Sequence, residues 1–243
     1  MLAIFKKEVR SFFTTPMGYL VVGLFLLLNG LFLWVFEGPY NLLEYGFADL
    51  SNFFAIAPWI FLFLIPAICM RSFSEERKLG TLELLYIKPT TLWQIVLGKF
   101  MGAIALVLIA LLPTLLYVYA ISELGTTTGN LDLGLIWGSY FGMIFLIIAY
   151  TAISLLISAL SENQIVAFLI SILICFCLFY GFEAIASLID NGALALGVKS
   201  IGMKAHYDDM ANGVLDSRDL VYFLSLGYFF LFLTQVYLKK RER

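Results

Sequence analysis

Residues 135–160 read Leu-Ile-Trp-Gly-Ser-Tyr-Phe-Gly-Met-Ile-Phe-Leu-Ile-Ile-Ala-Tyr-Thr-Ala-Ile-Ser-Leu-Leu-Ile-Ser-Ala-Leu, without one charged side chain. A helix needs about 20 mainly apolar residues to cross a hydrocarbon core about 30 Å thick, at about 1.5 Å of rise per residue. This stretch is long enough to span with tilt or to extend past the membrane. The whole chain agrees with it: of 243 residues, 62% are hydrophobic and 13% charged, whereas an ordinary soluble domain carries about 25% charged residues. A water-soluble fold of this size has too little core volume for so many apolar side chains. The bilayer is the remaining solvent.

Working outward, Met17–Phe36, Phe53–Met70, Ile95–Ile121, Ile165–Ile189 and Leu220–Leu238 join Leu135–Leu160 as candidate spans. The expected fold is an all-α membrane protein with six transmembrane helices in a single domain, 1–243. Pro58, Pro66 and Pro113 fall inside spans, where neighbouring helices can satisfy the freed carbonyls. Residues 1–15 form a separate element: Leu2, Phe5, Val9 and Phe12 recur every three or four positions, with Lys6, Lys7 and Arg10 off that stripe. Such a helix lies flat in an interface, its cations near lipid headgroups. The opening residues lack the basic start, apolar core and cleavage site of a signal peptide, so the first span is expected to stay in the mature protein.

Lys and Arg set the orientation. With both ends cytoplasmic, twelve of the fifteen cations fall inside, and Lys199, Lys204 and Arg218 fall outside. The acids run the other way, which leaves the inner face near +6 and the outer near −7. Outer loops then cover roughly 37–52, 122–134 and 190–219. In the last, Gly192–Val198 is too short to span and is expected to dip into the interface as a short helix or to cover the mouth of the spans. Cys69, Cys175 and Cys177 lie in apolar runs and read as buried small hydrophobes.

Residues 71–94 carry the functional signal: Arg71-Ser-Phe-Ser-Glu-Glu-Arg-Lys-Leu-Gly-Thr-Leu-Glu-Leu-Leu-Tyr-Ile-Lys-Pro-Thr-Thr-Leu-Trp-Gln94. Ser74 can cap a short helix whose first turn holds Glu75 and Glu76. Gly80 suits the left-handed position that stops it. Thr81 can cap a second turn with Glu83 just inside, and Pro89 forbids continuation. Thr91 with Gln94 makes a capping box for the third span. The second inner connection, Ser161-Glu-Asn-Gln164, is a tight turn in which Ser161 and Gln164 can form another box.

The run Glu75-Glu76, then Gly80-Thr81-Leu82-Glu83, after the second span resembles the cytoplasmic signature of type-2 ABC exporter permeases. Gly213-Val-Leu-Asp216-Ser-Arg218-Asp219-Leu-Val-Tyr222-Phe-Leu-Ser-Leu is similar to the gliding-motility-associated permease branch. The resemblance covers the chain: elbow helix, six spans, a long outer loop and a basic tail. It implies that 71–94 is a coupling helix docking on a separate ABC ATPase through Glu75, Glu76, Arg77, Gly80, Thr81 and Glu83. It further implies a second permease subunit, one partner with a large extracytoplasmic region, and the bacterial inner membrane.

No Gly-x-x-x-x-Gly-Lys-Ser/Thr occurs, so the chain has no cradle for ATP phosphates. It is not expected to be an enzyme or to hold a cofactor; ATP and Mg are expected on the partner ATPase, and no nucleic acid is expected. Lys99, in the fragment Gly98-Lys99-Phe100, is expected to snorkel to the inner headgroups. An intramembrane hydrolase needs a base beside its nucleophile, and the sole histidine, His206, sits in the outer loop. Beside Asp208 and Asp209 it reads as a solvated side chain rather than a metal ligand. A secondary transporter or channel is the other class, resting on ionisable groups near the midplane. Its candidates are Asn29, expected to hydrogen-bond between helices, and Glu183, expected at the outer edge with an interfacial partner or water.

Overall fold

The computed structural model describes residues 1–46, 49–81, 91–125 and 131–242. Among these the only regular secondary structure is helical, and no strand is present. Helix α1 (Leu2–Thr14) leads through Thr15, whose extended backbone allows a turn, into α2 (Pro16–Val35). Pro16 stands at the first helical position, where its missing N–H costs nothing. A one-turn α3 (Leu42–Tyr45), capped by Asn41, precedes α4 (Ser51–Lys78). Then come α5 (Leu92–Leu124), α6 (Leu133–Leu160), α7 (Gln164–Ala186), α8 (Gly192–Lys199), α9 (Met203–Ala211) and α10 (Ser217–Glu242). Six of them, α2, α4, α5, α6, α7 and α10, are long and apolar enough to cross a membrane.

These six fall into two groups. In α4, α5 and α6, 72%, 67% and 78% of the apolar window is buried within the chain; in α2, α7 and α10 the figures are 28%, 22% and 22%. The first three form the core and the others surround it. Aromatic packing binds the groups: Phe25 of α2 stacks on Phe61 of α4 at 5.4 Å, and Trp59 of α4 meets Phe179 of α7 edge-on at 5.5 Å.

Helix α4 differs most from expectation. Hydropathy ends it near Met70, yet it runs to Lys78. Ser74 therefore caps nothing: it lies fully buried inside the helix and donates its hydroxyl to the carbonyl of Met70. The continuation is a tertiary effect. Ser158 of α6 accepts from the Phe73 and Ser74 amides at 3.0 and 3.3 Å and donates to Met70 O at 3.1 Å, tying this turn to α6. Pro58 and Pro66 sit buried inside α4 without ending it. Pro113 has a visible local effect, a 3₁₀ turn at Leu112–Thr114 where Thr114 bonds both Leu111 O and the Tyr140 hydroxyl.

Other expectations are corrected. Asn29 is fully buried, but its amide donates within its own helix, to Phe25 O at 2.8 Å, just before α2 widens into a π turn at Leu31–Val35. The α7 cap is Asn163, which accepts from Ile165 N, while Ser161 is held by local bonds to the Asn163 backbone. Cys177 is exposed on α7, unlike buried Cys69 and Cys175, because α7 lies in the outer group. The Thr91–Gln94 capping box is present in both directions. At the acid-rich end α8 buries none of its residues, and α9 is the covering element: Met203, Tyr207 and Met210 are buried, with the Tyr207 hydroxyl on Phe54 O at 2.7 Å.

Candidate coupling site at the basic end

Gly80 stops α4 where the sequence places the stop. Its φ of +67° lies in the left-handed region, and the amides of Gly80 and Thr81 close back on Arg77 O and Glu76 O at 3.1 and 2.9 Å. That pair of bonds satisfies carbonyls that a helix end leaves orphaned. Upstream on the same turns, Arg71 clamps Glu75 through two parallel bonds of 2.8 and 2.9 Å. Glu75, Glu76 and Arg77 thus stand on the last turns of a long helix, not on a separate short one, with Gly80 just past its end. Thr81 follows directly and donates to Glu76 O at 3.3 Å. Glu83, Pro89 and the second turn expected after Thr81 lie outside the described residues.

Lys99 of α5 is the centre of the arrangement, and it does not snorkel. Its side chain is 1% exposed. The ammonium donates to Glu8 of α1 at 2.8 Å and to Ser72 O of α4 at 2.6 Å, and lies 3.0 Å from the second carboxylate oxygen of Glu76. The ring of Phe73 lies 5.0 Å away and adds a cation–π contact. An ammonium has three protons, and three oxygens surround this one. Glu76 meets Lys7 of α1 with its other oxygen at 2.8 Å. Burial alone would lower the Lys7 pKa, but the hydrogen bond and charge of Glu76, with Glu8 and Glu75 nearby, raise it.

Close backbone approach makes this possible. A Cβ on Gly98 would lie 3.0 Å from the Ile4 side chain, and one on Gly102 only 2.9 Å from Glu8 Cβ. Small residues four apart let two helices approach closely, and here they seat α1 on α5. The face that α1 turns to α5 therefore includes Ile4 and Glu8, while Leu2 of the expected apolar stripe is exposed.

Arg77 links α4 to the other basic connection. Its side chain is 5% exposed and donates to Ala159 O and Glu162, both at 2.7 Å. Glu162 is 66% exposed, so water screens this pair, and the buried anchor of Arg77 is its bond to Ala159 O. Sequence reasoning missed Lys7, Glu8, Lys99 and Glu162 as partners. The available signal was Lys99 itself, a cation well inside an apolar run.

The two polar candidates within spans lie apart from this cluster. Glu183 ends α7 and pairs with Lys204 at 2.7 Å and, more loosely, Lys199 at 3.8 Å. Burial works against the charge of Lys204, but Glu183 and Asp208 raise its pKa; burial likewise raises that of Asp208 against the pull of Lys204. His206 is not solvated: its ring nitrogens lie 2.6 Å from Asp219 and 2.9 Å from Ser200 O, and it stacks on Tyr222 at 4.0 Å.

Residues 2–198 match the family described as ABC-2 family transporter protein. The chain belongs to that family. No significant match is found among curated proteins. An ABC-2 permease is the membrane subunit of an ABC transporter, normally not itself catalytic, and the family in general implies an ABC ATPase as partner. Six apolar helices agree with a multi-pass membrane subunit.

Proposed function

We propose that this ABC-2 permease couples ATP hydrolysis by a separate ATPase to export or mechanical work, and that the end of α4 is where the force enters. ATP-driven movement of a cytoplasmic subunit can shift spans only through a rigid element, since a floppy loop would absorb it. The observation that carries the reading is the Lys99 node, which binds the last turns of α4 to α1 and α5 at once. In this reading Glu75, Gly80, Thr81 and Glu83 meet the ATPase, with the basic end and both termini in the cytoplasm. Glu76 and Arg77, 12% and 5% exposed, carry its motion inward through Lys99, Lys7 and Ala159 O. A second permease subunit, the same or related, completes the pathway. The final-loop resemblance supports the gliding-motility branch, with a partner bearing a large extracytoplasmic region at the bacterial inner membrane. Ion coupling is disfavoured by Glu183, which sits in the last turn of its span and is paired there with lysines.

Co-purification in mild detergent tests the reading. An ABC ATPase should accompany the full chain, and Glu75→Ala with Glu83→Ala, which leaves the Lys99 node intact, should weaken that association several tens-fold. Matched changes at Asp208 and Asp209 should leave it intact. Loss of the ATPase through the Asp208 and Asp209 changes alone would overturn the assignment of the docking end.

A further inference from the structure

A cavity of about 250 Å³ opens between α1, α4 and α5, beside the Lys99 node. Its rim carries Lys7, Arg71, Glu8 and Glu75, and its deeper wall Phe12, Ile68 and Leu106. Leu106 stands seven positions beyond Lys99 on α5, about 10 Å further into the apolar zone. The cavity therefore runs from a charged mouth to an apolar floor beside the membrane-crossing part of α5.

The rim is not simply basic. Lys7, Arg71 and Lys99 are matched by Glu8, Glu75 and Glu76, so a bare anion would find no net attraction. Spare bonding capacity of both signs nevertheless remains. Arg71 spends Nε and Nη2 on Glu75, leaving Nη1 over, and Lys7 gives one proton to Glu76. Glu75 has used about half of its roughly four lone-pair sites. These side chains stay reachable: Lys7 is 59% exposed, Arg71 37% and Glu75 34%.

We propose that this cavity binds one phospholipid with a zwitterionic, primary-amine headgroup. The phosphate accepts from Arg71 and Lys7, and the ammonium donates to Glu75. The first acyl carbons fill the apolar floor, where Ile68 and Leu106 are only 6% and 3% exposed, so that the rest of the acyl chain lies in the bilayer. Both charges of the ligand are needed because both signs are offered. The apolar floor selects a lipid over a soluble phosphate ester.

Native mass spectrometry of the full-length chain tests this, with phosphatidylethanolamine, phosphatidylcholine, phosphatidylglycerol or soluble phosphoethanolamine added at equal concentration. One phosphatidylethanolamine should be retained about tenfold more than either other lipid, the difference expected from one charge-assisted bond. Phosphatidylcholine lacks ammonium N–H donors, and phosphatidylglycerol lacks the cation. The paired change Arg71→Gln with Glu75→Gln should abolish the preference. So should Ser11→Trp, which plugs the mouth from an exposed position without touching an ion pair. Equal retention of all three lipids would mean ordinary bilayer contact and overturn the site. A preference for phosphatidylglycerol, equal retention of phosphoethanolamine, or an unchanged preference in both variants would also overturn it.

Discussion

The two ends of the bundle solve the same problem differently. At the basic end α1, seated along the first turns of α5, is fixed by a cation almost wholly out of water, Lys99, shared among α1, α4 and α5. At the acid-rich end the comparable cation, Lys204, bridges Glu183 and Asp208 while remaining 24% exposed, and neighbouring α8 buries nothing. Water reaches Lys204 in the second cluster and is kept from Lys99 in the first. One end is tied across three helices, whereas the other is a cover held by α9.

Lys99→Met should break this contrast most visibly. It strands Glu8 and leaves Glu76 with Lys7 alone, so the fold around α1 should lose about 3 kcal/mol. Trypsin should then cut at Lys6, Lys7 and Arg10 in the full chain much faster than in the parent. Lys204→Met should cost about 1 kcal/mol or less. Equal losses in thermal unfolding would erase the distinction between the ends.

Next in size is a pair of glycines. Gly102→Ala places a methyl 2.9 Å from Glu8 Cβ, whereas Gly197 of α8 has nothing within 4 Å. The first should destabilise by about 1–3 kcal/mol through overpacking. Gly197→Ala should stabilise by up to about 1 kcal/mol from helix propensity. Melting temperatures moving the same way would refute the tight α1–α5 seat.

Gly80→Val should cost about 1–2 kcal/mol, because a β-branched residue resists positive φ. Its effect should appear in ATPase association more than in melting, since α4 is anchored upstream by Ser158. A lowered melting point with unchanged association would move the docking surface elsewhere.

The smallest effect is on pH. The folded pKa values of Lys7 and Lys204 are raised above 10.5. Their contribution is therefore complete below pH 10.5 and is lost as pH rises through the higher folded values. Protease sensitivity of α1 should stay flat through neutral pH and increase only in strong alkali. An increase near pH 8 would contradict the pairing of Lys7 with Glu76.

Six spans, the Gly80 stop and the Thr91–Gln94 box were legible in the sequence because each depends on residues within one window or one turn. The reading failed where partners are distant. Ser74 looked like a cap because serine followed by two glutamates has that local chemistry, but Ser158 holds the turn helical. Asn29 was assigned a partner on another helix, yet its own carbonyl at Phe25 was nearer. Lys99 looked like a headgroup cation because its carboxylates are nowhere near it in the chain.

By itself, then, the sequence determined that the chain lives in a bilayer, how many times it can cross, and where its helices receive local stop and start signals. Hydropathy summed over about 20 residues and capping within one turn need nothing from the rest of the molecule. Tertiary structure alone decided which spans form the core, how far α4 reaches, and what neutralises Lys99. Those outcomes join Lys99 to Glu8 across 91 positions, Arg77 to Glu162 across 85 and Lys7 to Glu76 across 69. A buried charge is tolerated only when its partners arrive together, and only the packed helices bring them there.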